Sequence, residues 1–410
     1  MMRYFLSFLL LNFGGTALSQ NIYNSPYSIY GLGIINYRMS TLNRGMSGTG
    51  IAVRDGFNLN YVNPASYGSI ASPVSSVFEM GFYVEHNDYR TTDLSESRTN
   101  GSLSNINYWF KFLPQWSSTV GLTPFSSVSY NINTTRRLGG ISEVDYRYEG
   151  DGTISRLYWG NGFSISKSLS LGLNISYMFG TISRRESVNT FNQATKLIYE
   201  NRINTNEFDW DVGLQYEVHL KKDKSLIIGF VGDRKSTFQG NQKNYLLDGP
   251  LDTLRTSIGE KLNYKIPQSY GFGLALQTRR SIFASDLKFE HWNTVNSEYQ
   301  EVTFQDTWKF SMGYMHRGNP DATSYLGALS LRAGFYLQQY PLMIKETTLP
   351  LWGLSAGISM PMFDNRSSIN ISYSFDSLGT TQNGLILQRS QHIMFDVVIR
   401  DLWGVRRKFD

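Results

Sequence analysis

Histidines at positions 86, 219, 291, 316 and 392 are the chain's whole supply of imidazole, and no two are spaced to share a metal. Cysteine is absent, which excludes a thiolate nucleophile, a thiolate metal site and a disulfide framework. Gly45-Met46-Ser47-Gly48-Thr49 begins like the turn that presents a nucleophilic serine, but it lacks the closing glycine. Gly48-Thr49-Gly50 runs into Ile51-Ala52-Val53 without a crossover-helix pattern, so it is not a dinucleotide fingerprint. No catalytic residue, cofactor or metal ligand is expected. The one enzymatic alternative is a hydrolase whose residues come from different strands.

The richest polar constellation is a stripe. Glu207, Asp209 and Asp211, followed by Gln215 and Glu217, share one face of an extended segment, while Phe208, Trp210, Val212, Leu214, Tyr216 and Val218 share the other. If the apolar face meets lipid, the acids point into a lumen. There they form either a polar conduit for cations or, as buried charge requires, partners for arginine and lysine. Asp286, Lys288 and Glu290 form a second stripe and Asp396 with Arg400 a third, both suited to bracing something inside.

Such stripes need strands, and strands dominate the chain. Leu169, Leu171, Leu173, Ile175, Tyr177 and Phe179 alternate with Ser170, Gly172, Asn174, Ser176, Met178 and Gly180. The pattern recurs at 352–360, 368–375 and 392–400. Tight turns are expected at Pro114-Gln115, Lys167-Ser168, Lys222-Asp223-Lys224, Arg279-Arg280 and Asp364-Asn365-Arg366. Between them the sequence reads as longer polar connections, among them Asp88 to Gly101, Thr134 to Gly152, Glu186 to Asn204 and Gly240 to Ser257. Alternating short and long connections fit an all-β, transmembrane antiparallel β-barrel of about 14 strands. Tyr108, Trp109, Trp116, Tyr158, Trp159, Trp352 and Trp403 are expected in its interfacial girdles.

The first 70 residues differ. Arg3, the apolar run Tyr4 to Leu11, and Ala17 and Ser19 around Leu18 read as a cleaved signal peptide over 1–19. Residues 20–70 read as an N-terminal plug and 71–410 as the barrel. The plug is glycine-rich over Gly45 to Ser66, where small residues permit close backbone packing, Arg54 and Asp55 supply charge, and Asn63-Pro64 forces an extended or turn geometry. A net charge of +5 and aromatics at 14% suit a membrane setting. No nucleic-acid motif is present, and the basic tail Arg406-Arg407-Lys408 reads as a solvated periplasmic end.

This arrangement resembles the FadL family of outer-membrane transporters for long-chain fatty acids and other hydrophobic compounds. The resemblance is carried by an exported chain of this length, the Gly-rich N-terminal segment, Asn63-Pro64-Ala65 and the fourteen-strand reading. Gly48, Gly50, Ala52 and Asp55 ahead of that tripeptide are similar to the family's hatch, although Ser66 stands where the family usually has glycine. The resemblance implies a barrel in outer-membrane lipid whose hatch includes Gly48, Gly50, Arg54, Asp55, Asn63, Pro64 and Ala65. It further implies passive uptake of a hydrophobic ligand that leaves sideways through a gap in the wall. The alternative is a non-transporting barrel subunit with partners in an outer-membrane assembly or secretion complex.

Overall fold

The computed structural model describes residues 25–401 apart from 72–73, 139–141, 191–196, 222, 249–251, 296, 298, 320 and 363–366. The signal peptide, Trp403 and the basic tail lie outside the described residues.

Fourteen antiparallel strands close into a barrel. The first half of the wall is β1 (Ser76–Arg90), β2 (Ser95–Leu113), β3 (Trp116–Leu138), β4 (Ser142–Ser164), β5 (Leu169–Thr190) and β6 (Leu197–Lys221). β7 (Lys224–Asp233 continued by Ser236–Asp248) and β8 (Asp252–Ile266 continued by Ser269–Thr278) each carry one interruption. β9 (Ser281–Glu290), β10 (Val302–Phe304 continued by Thr307–His316) and β11 (Ser330–Ile344) follow. β12 (Thr347–Pro361), β13 (Ser368–Leu378) and β14 (Leu387–Asp401) complete the wall, and β14 pairs with β1 along its length.

The alternation read from sequence sorts outside from inside. On β6, Phe208, Trp210, Val212, Leu214 and Tyr216 are exposed to the lipid side, while Asp211 and Gln215 are buried. β5 repeats the division, with Leu171, Leu173 and Ile175 outside and Ser170, Asn174 and Ser176 inside. A barrel keeps this period because one face meets hydrocarbon and the other a polar interior.

Two expectations need correction. The segments expected as long polar connections from 134 to 152, 186 to 204 and 240 to 257 are largely strand, continuing β3 to β8 beyond the bilayer. β6 alone has 25 residues, roughly 45 Å of strand beyond the ~11 residues that span a membrane. The outer face of these extensions meets water and not lipid, so it need not be apolar and the alternation that marks a strand is weakened, while inward residues such as Ile182, Ile203 and Phe238 are buried. Trp109 and Tyr158 are not girdle residues: they are 0% and 1% exposed and face inward. The Trp109 indole N–H donates to the Tyr67 carbonyl at 3.0 Å, and the Tyr158 hydroxyl donates to Asn107 Oδ1 at 2.7 Å. Trp159 and Trp352 do face outward, and Phe110, Phe112, Trp116 and Phe163 form a run of ring contacts at the strand ends near the first tight turn.

Residues 25–71 lie inside the wall. The helical turn Pro64–Ser69 packs against β3 to β6, and the short helix Thr41–Arg44 packs against β12, β13 and β14. Ser40 caps that helix, accepting from the Asn43 N–H at 3.2 Å. Asn63 caps the other turn, its Oδ1 accepting from the Ala65 N–H at 3.0 Å.

Candidate functional site: the lumen and its inner segment

The inner segment is held by the polar stripes. Gly50 N–H and Ile51 N–H both donate to Asp286 Oδ2, at 2.7 and 2.9 Å. Gln215 Nε2 donates to the Ile51 carbonyl at 2.9 Å. Asn63 Nδ2 donates to the Ile51 carbonyl at 2.7 Å and reaches wall carbonyls at Leu214 and Phe230, 3.2 and 3.3 Å away. Arg54 pairs with Glu217 at 2.9 Å and donates to Gln215 Oε1 at 3.2 Å. Arg400 donates to the Phe57 carbonyl at 2.5 Å. The charged interior is therefore a set of sockets for one particular backbone path.

Of the expected hatch residues, Gly50, Arg54 and Asn63 hydrogen-bond to the wall directly. Burial by itself raises the Asp55 carboxyl, but Arg317 at 3.7 Å, Asn58 Nδ2 and the Phe57 N–H together hold it below its ordinary value. Gly48, at φ +82°, follows Ser47 at φ +56°, so the turn uses left-handed backbone that glycine adopts freely. Pro64 and Ala65 press against the wall at Gly172, where a Cβ would stand 2.2 Å from the Pro64 carbonyl carbon.

The acidic stripe divides. Asp211 forms a buried ion pair with Arg38 of the inner segment and accepts from Asn174 Nδ2 at 2.6 Å. Asp209 accepts from Ser236 Oγ at 2.8 Å, and Arg234 lies 3.7 and 3.8 Å from Asp209 and Glu207, all within the wall. Asp211→Asn is therefore expected to loosen the inner segment by about 3 kcal/mol, the lower end for breaking a buried pair. Asp209→Asn is expected to cost under ~1 kcal/mol because Arg234 is partly exposed. Limited proteolysis across a denaturant series reads the difference, and equal loss from both variants would count against this division.

Sequence reading missed Arg38, Asn60, Tyr67, Arg317 and the inward-facing wall glycines. Asn60 bridges the segment to itself, with Nδ2 donating to the Gly50 and Val53 carbonyls at 2.6 and 3.0 Å. Tyr67 OH donates to Asn174 Oδ1 at 3.0 Å. The glycines had a signal: Gly172, Gly213, Gly229, Gly273, Gly313 and Gly334 fall on inward positions, and each would place a Cβ within 3 Å of the inner segment.

The wall is interrupted beside β3. Pairing of β2 with β3 stops at Ile106 and Leu122, and β3 shifts register between Pro124 and Ser126. Proline contributes no N–H, and residues 125–130 are all buried as the strand turns inward. Its freed edge is taken by the inner segment: Ile34 and Ile35 pair with Ser127 and Ser126. Asn36 N–H donates to the Phe125 carbonyl at 2.7 Å and Ser25 N–H to the Ser129 carbonyl at 3.0 Å.

A cavity of about 240 Å³ lies between this strap and the turn at Arg44–Gly48. Leu32, Ile34, Trp292, Phe304, Leu342, Leu351 and Leu378 line its apolar part. Glu85, Lys309, Tyr336, Asp376 and His392 line its polar part. His392 Nε2 is 3.0 Å from Asp376 Oδ2, and Tyr336 OH donates to Asp376 Oδ1 at 2.7 Å. The Lys309 amine sits 4.4 Å from the Tyr336 ring centroid and has no hydrogen bond or ion pair among the described residues. Also among them, no group of three His, Asp or Glu side chains could hold a metal ion.

An apolar outer face, a closed ladder and a polar, filled lumen define an outer-membrane β-barrel. Its fold is that of the FadL-type channels. A Pseudomonas aeruginosa FadL homologue aligns with a TM-score of 0.62 at 11% identity, over 90% of this chain and 99% of that one. The Pseudomonas putida toluene transporter TodX aligns with a TM-score of 0.60 at 16% identity, over 89% and 99%. The CymD monoaromatic hydrocarbon channel gives 0.60 at 13%, over 88% and 97%. No curated protein matches the chain. The BamG family model matches residues 1–410, and the chain belongs to the BamG family.

Proposed function

We propose that this barrel mediates passive uptake of a hydrophobic small molecule with an acidic head, such as a long-chain fatty acid, with no chemical step and no cofactor. In this reading residues 1–19 direct export and are cleaved, 20–70 form the plug, and 71–410 form the barrel. The observation that carries it is the cavity, apolar for most of its lining, with the Lys309 amine in its polar part making no hydrogen bond or ion pair among the described residues. A fatty tail needs apolar walls, and a carboxylate needs one fixed cation. The solved channels of the same fold described as taking toluene or monoaromatic hydrocarbons support a hydrophobic cargo.

Lys309→Met is expected to weaken binding of a long-chain fatty acid about tenfold or more, since a hydrogen bond to a charged group contributes ~1.5–3 kcal/mol. Binding of the matching fatty alcohol should stay unchanged. Calorimetry in detergent checks both, and equal loss for acid and alcohol would remove Lys309 from the site.

A second reading, a non-transporting subunit of an outer-membrane assembly or secretion complex, is favoured by how firmly the inner segment is bonded along its length. Mild-detergent purification from the native membrane separates the two: partners in near-equal amounts with an empty barrel support the subunit.

A further inference from the structure

The wall has a second interruption, on the far side from β3. β8 pairs with β9 from Ser269 to Gln277, and β9 pairs with β10 from Ser281 to Glu290. β9 then ends, while β8 continues outward as Asp252–Ile266 and β10 as Val302–Phe304. Among the described residues, the helical turn Trp292–Thr294 follows β9 there and packs against Val302–Phe304.

We propose that this break is the entrance by which an amphipathic acid passes from the outer membrane interface into the cavity, with Trp292 as the side chain that closes it. The proposal rests on the uptake reading above.

Height is the first argument. Tyr270, Phe289 and Trp308 are neighbours by register on β8, β9 and β10, and all three are exposed on the lipid side. A row of aromatic side chains at strand ends marks the level of the lipid headgroups. The break begins directly beyond that row, where an amphiphile in the bilayer holds its polar head.

The cavity supplies the second. Its lining includes Tyr264 and Ile266 on one side of the break, Phe304 on the other, and Trp292 and Val295 across it. A molecule passing the tryptophan thus arrives on the apolar lining.

The way Trp292 is held supplies the third. Its ring stacks on Phe304, with centroids 5.6 Å apart and planes at 16°, and its indole N–H donates to Glu290 Oε2 at 2.7 Å. The backbone of the turn is tied separately: Asn293 N–H donates to Asp306 Oδ1 at 3.0 Å and its side chain to Asp306 Oδ2 at 3.1 Å. The ring can therefore swing by losing one hydrogen bond and one stack while the turn stays in place, an economical movement for a gate.

Stopped-flow binding of cis-parinarate, a fluorescent long-chain acid, to the barrel in nanodiscs tests this. Trp292→Ala should raise association and dissociation rates together, each about tenfold, a parallel change that loss of a lining contact would not give, since that raises dissociation alone. Bridging Tyr264→Cys to Phe304→Cys with a bifunctional maleimide should slow both rates by about the same factor. Binding by the parent protein with rates that neither change moves would overturn the entrance while leaving uptake intact. A parent protein that binds no acid at all overturns uptake, and the entrance with it.

Discussion

Gly172→Val is expected to expel the inner segment from the barrel without unfolding the wall. A Cβ at this position would stand 2.2 Å from the Pro64 carbonyl carbon and 2.3 Å from the Ala65 nitrogen, both backbone atoms that cannot turn aside. Overpacking of this kind costs ~1–3 kcal/mol even where side chains can adjust, and here the neighbour is main chain inside a capped turn. Valine is a good strand residue, so the ladder of β5 with β4 and β6 should survive. The expected result is a heat-modifiable barrel with raised single-channel conductance and trypsin cleavage at Arg54. Gly232→Ala serves as the control, since a Cβ there meets only ordinary contacts at 3.5 Å or more. A Gly172→Val protein that stays silent and protease-resistant would mean the segment does not depend on this close approach.

The second large effect is expected at Asp286. Its Oδ2 accepts two buried backbone N–H groups, from Gly50 and Ile51. Asp286→Leu leaves both unpaired at ~1–3 kcal/mol each, a loss of about 2–6 kcal/mol. Asp286→Asn keeps an acceptor oxygen and should recover much of it. Hydrogen exchange over residues 45–66, read by mass spectrometry, should show lost protection in the leucine variant and near-parent protection in the asparagine variant. Unchanged protection in both would show that Gln215 and Asn63 alone hold this turn.

Much of the wall was legible because lipid and lumen impose a period of two on every spanning strand. The residues around Asp211 and Ile175 sort as their alternation says. The extensions of β3 to β8 were not legible, because outside the bilayer the outer face need not be apolar and a strand polar on that face reads as a loop. Trp109 and Tyr158 were misassigned for a related reason: their type suits an interface, and only the folded lumen gives them inward hydrogen-bond partners, the Tyr67 carbonyl for Trp109 and Asn107 for Tyr158. The polar stripes were visible as stripes, but their partners were not, since Arg38 and Asp211 are separated by 173 positions in the chain. The gap beside β3 had one local cue, Pro124 in an otherwise regular strand.

The seam between β14 and β1 joins the last strand made to the first, with a partner for every residue from Leu387 to Asp401. Residues 25–71 precede β1 in the chain yet bond to strands as late as β14, through Arg400 and the Phe57 carbonyl. Threading so bulky a segment into a finished cylinder would strip its bonds one by one. Order of assembly follows: the wall must wrap around an insert already in place, and closure of the β14–β1 seam is the final step. Variants that unseat the insert should still close this seam, around an emptier lumen.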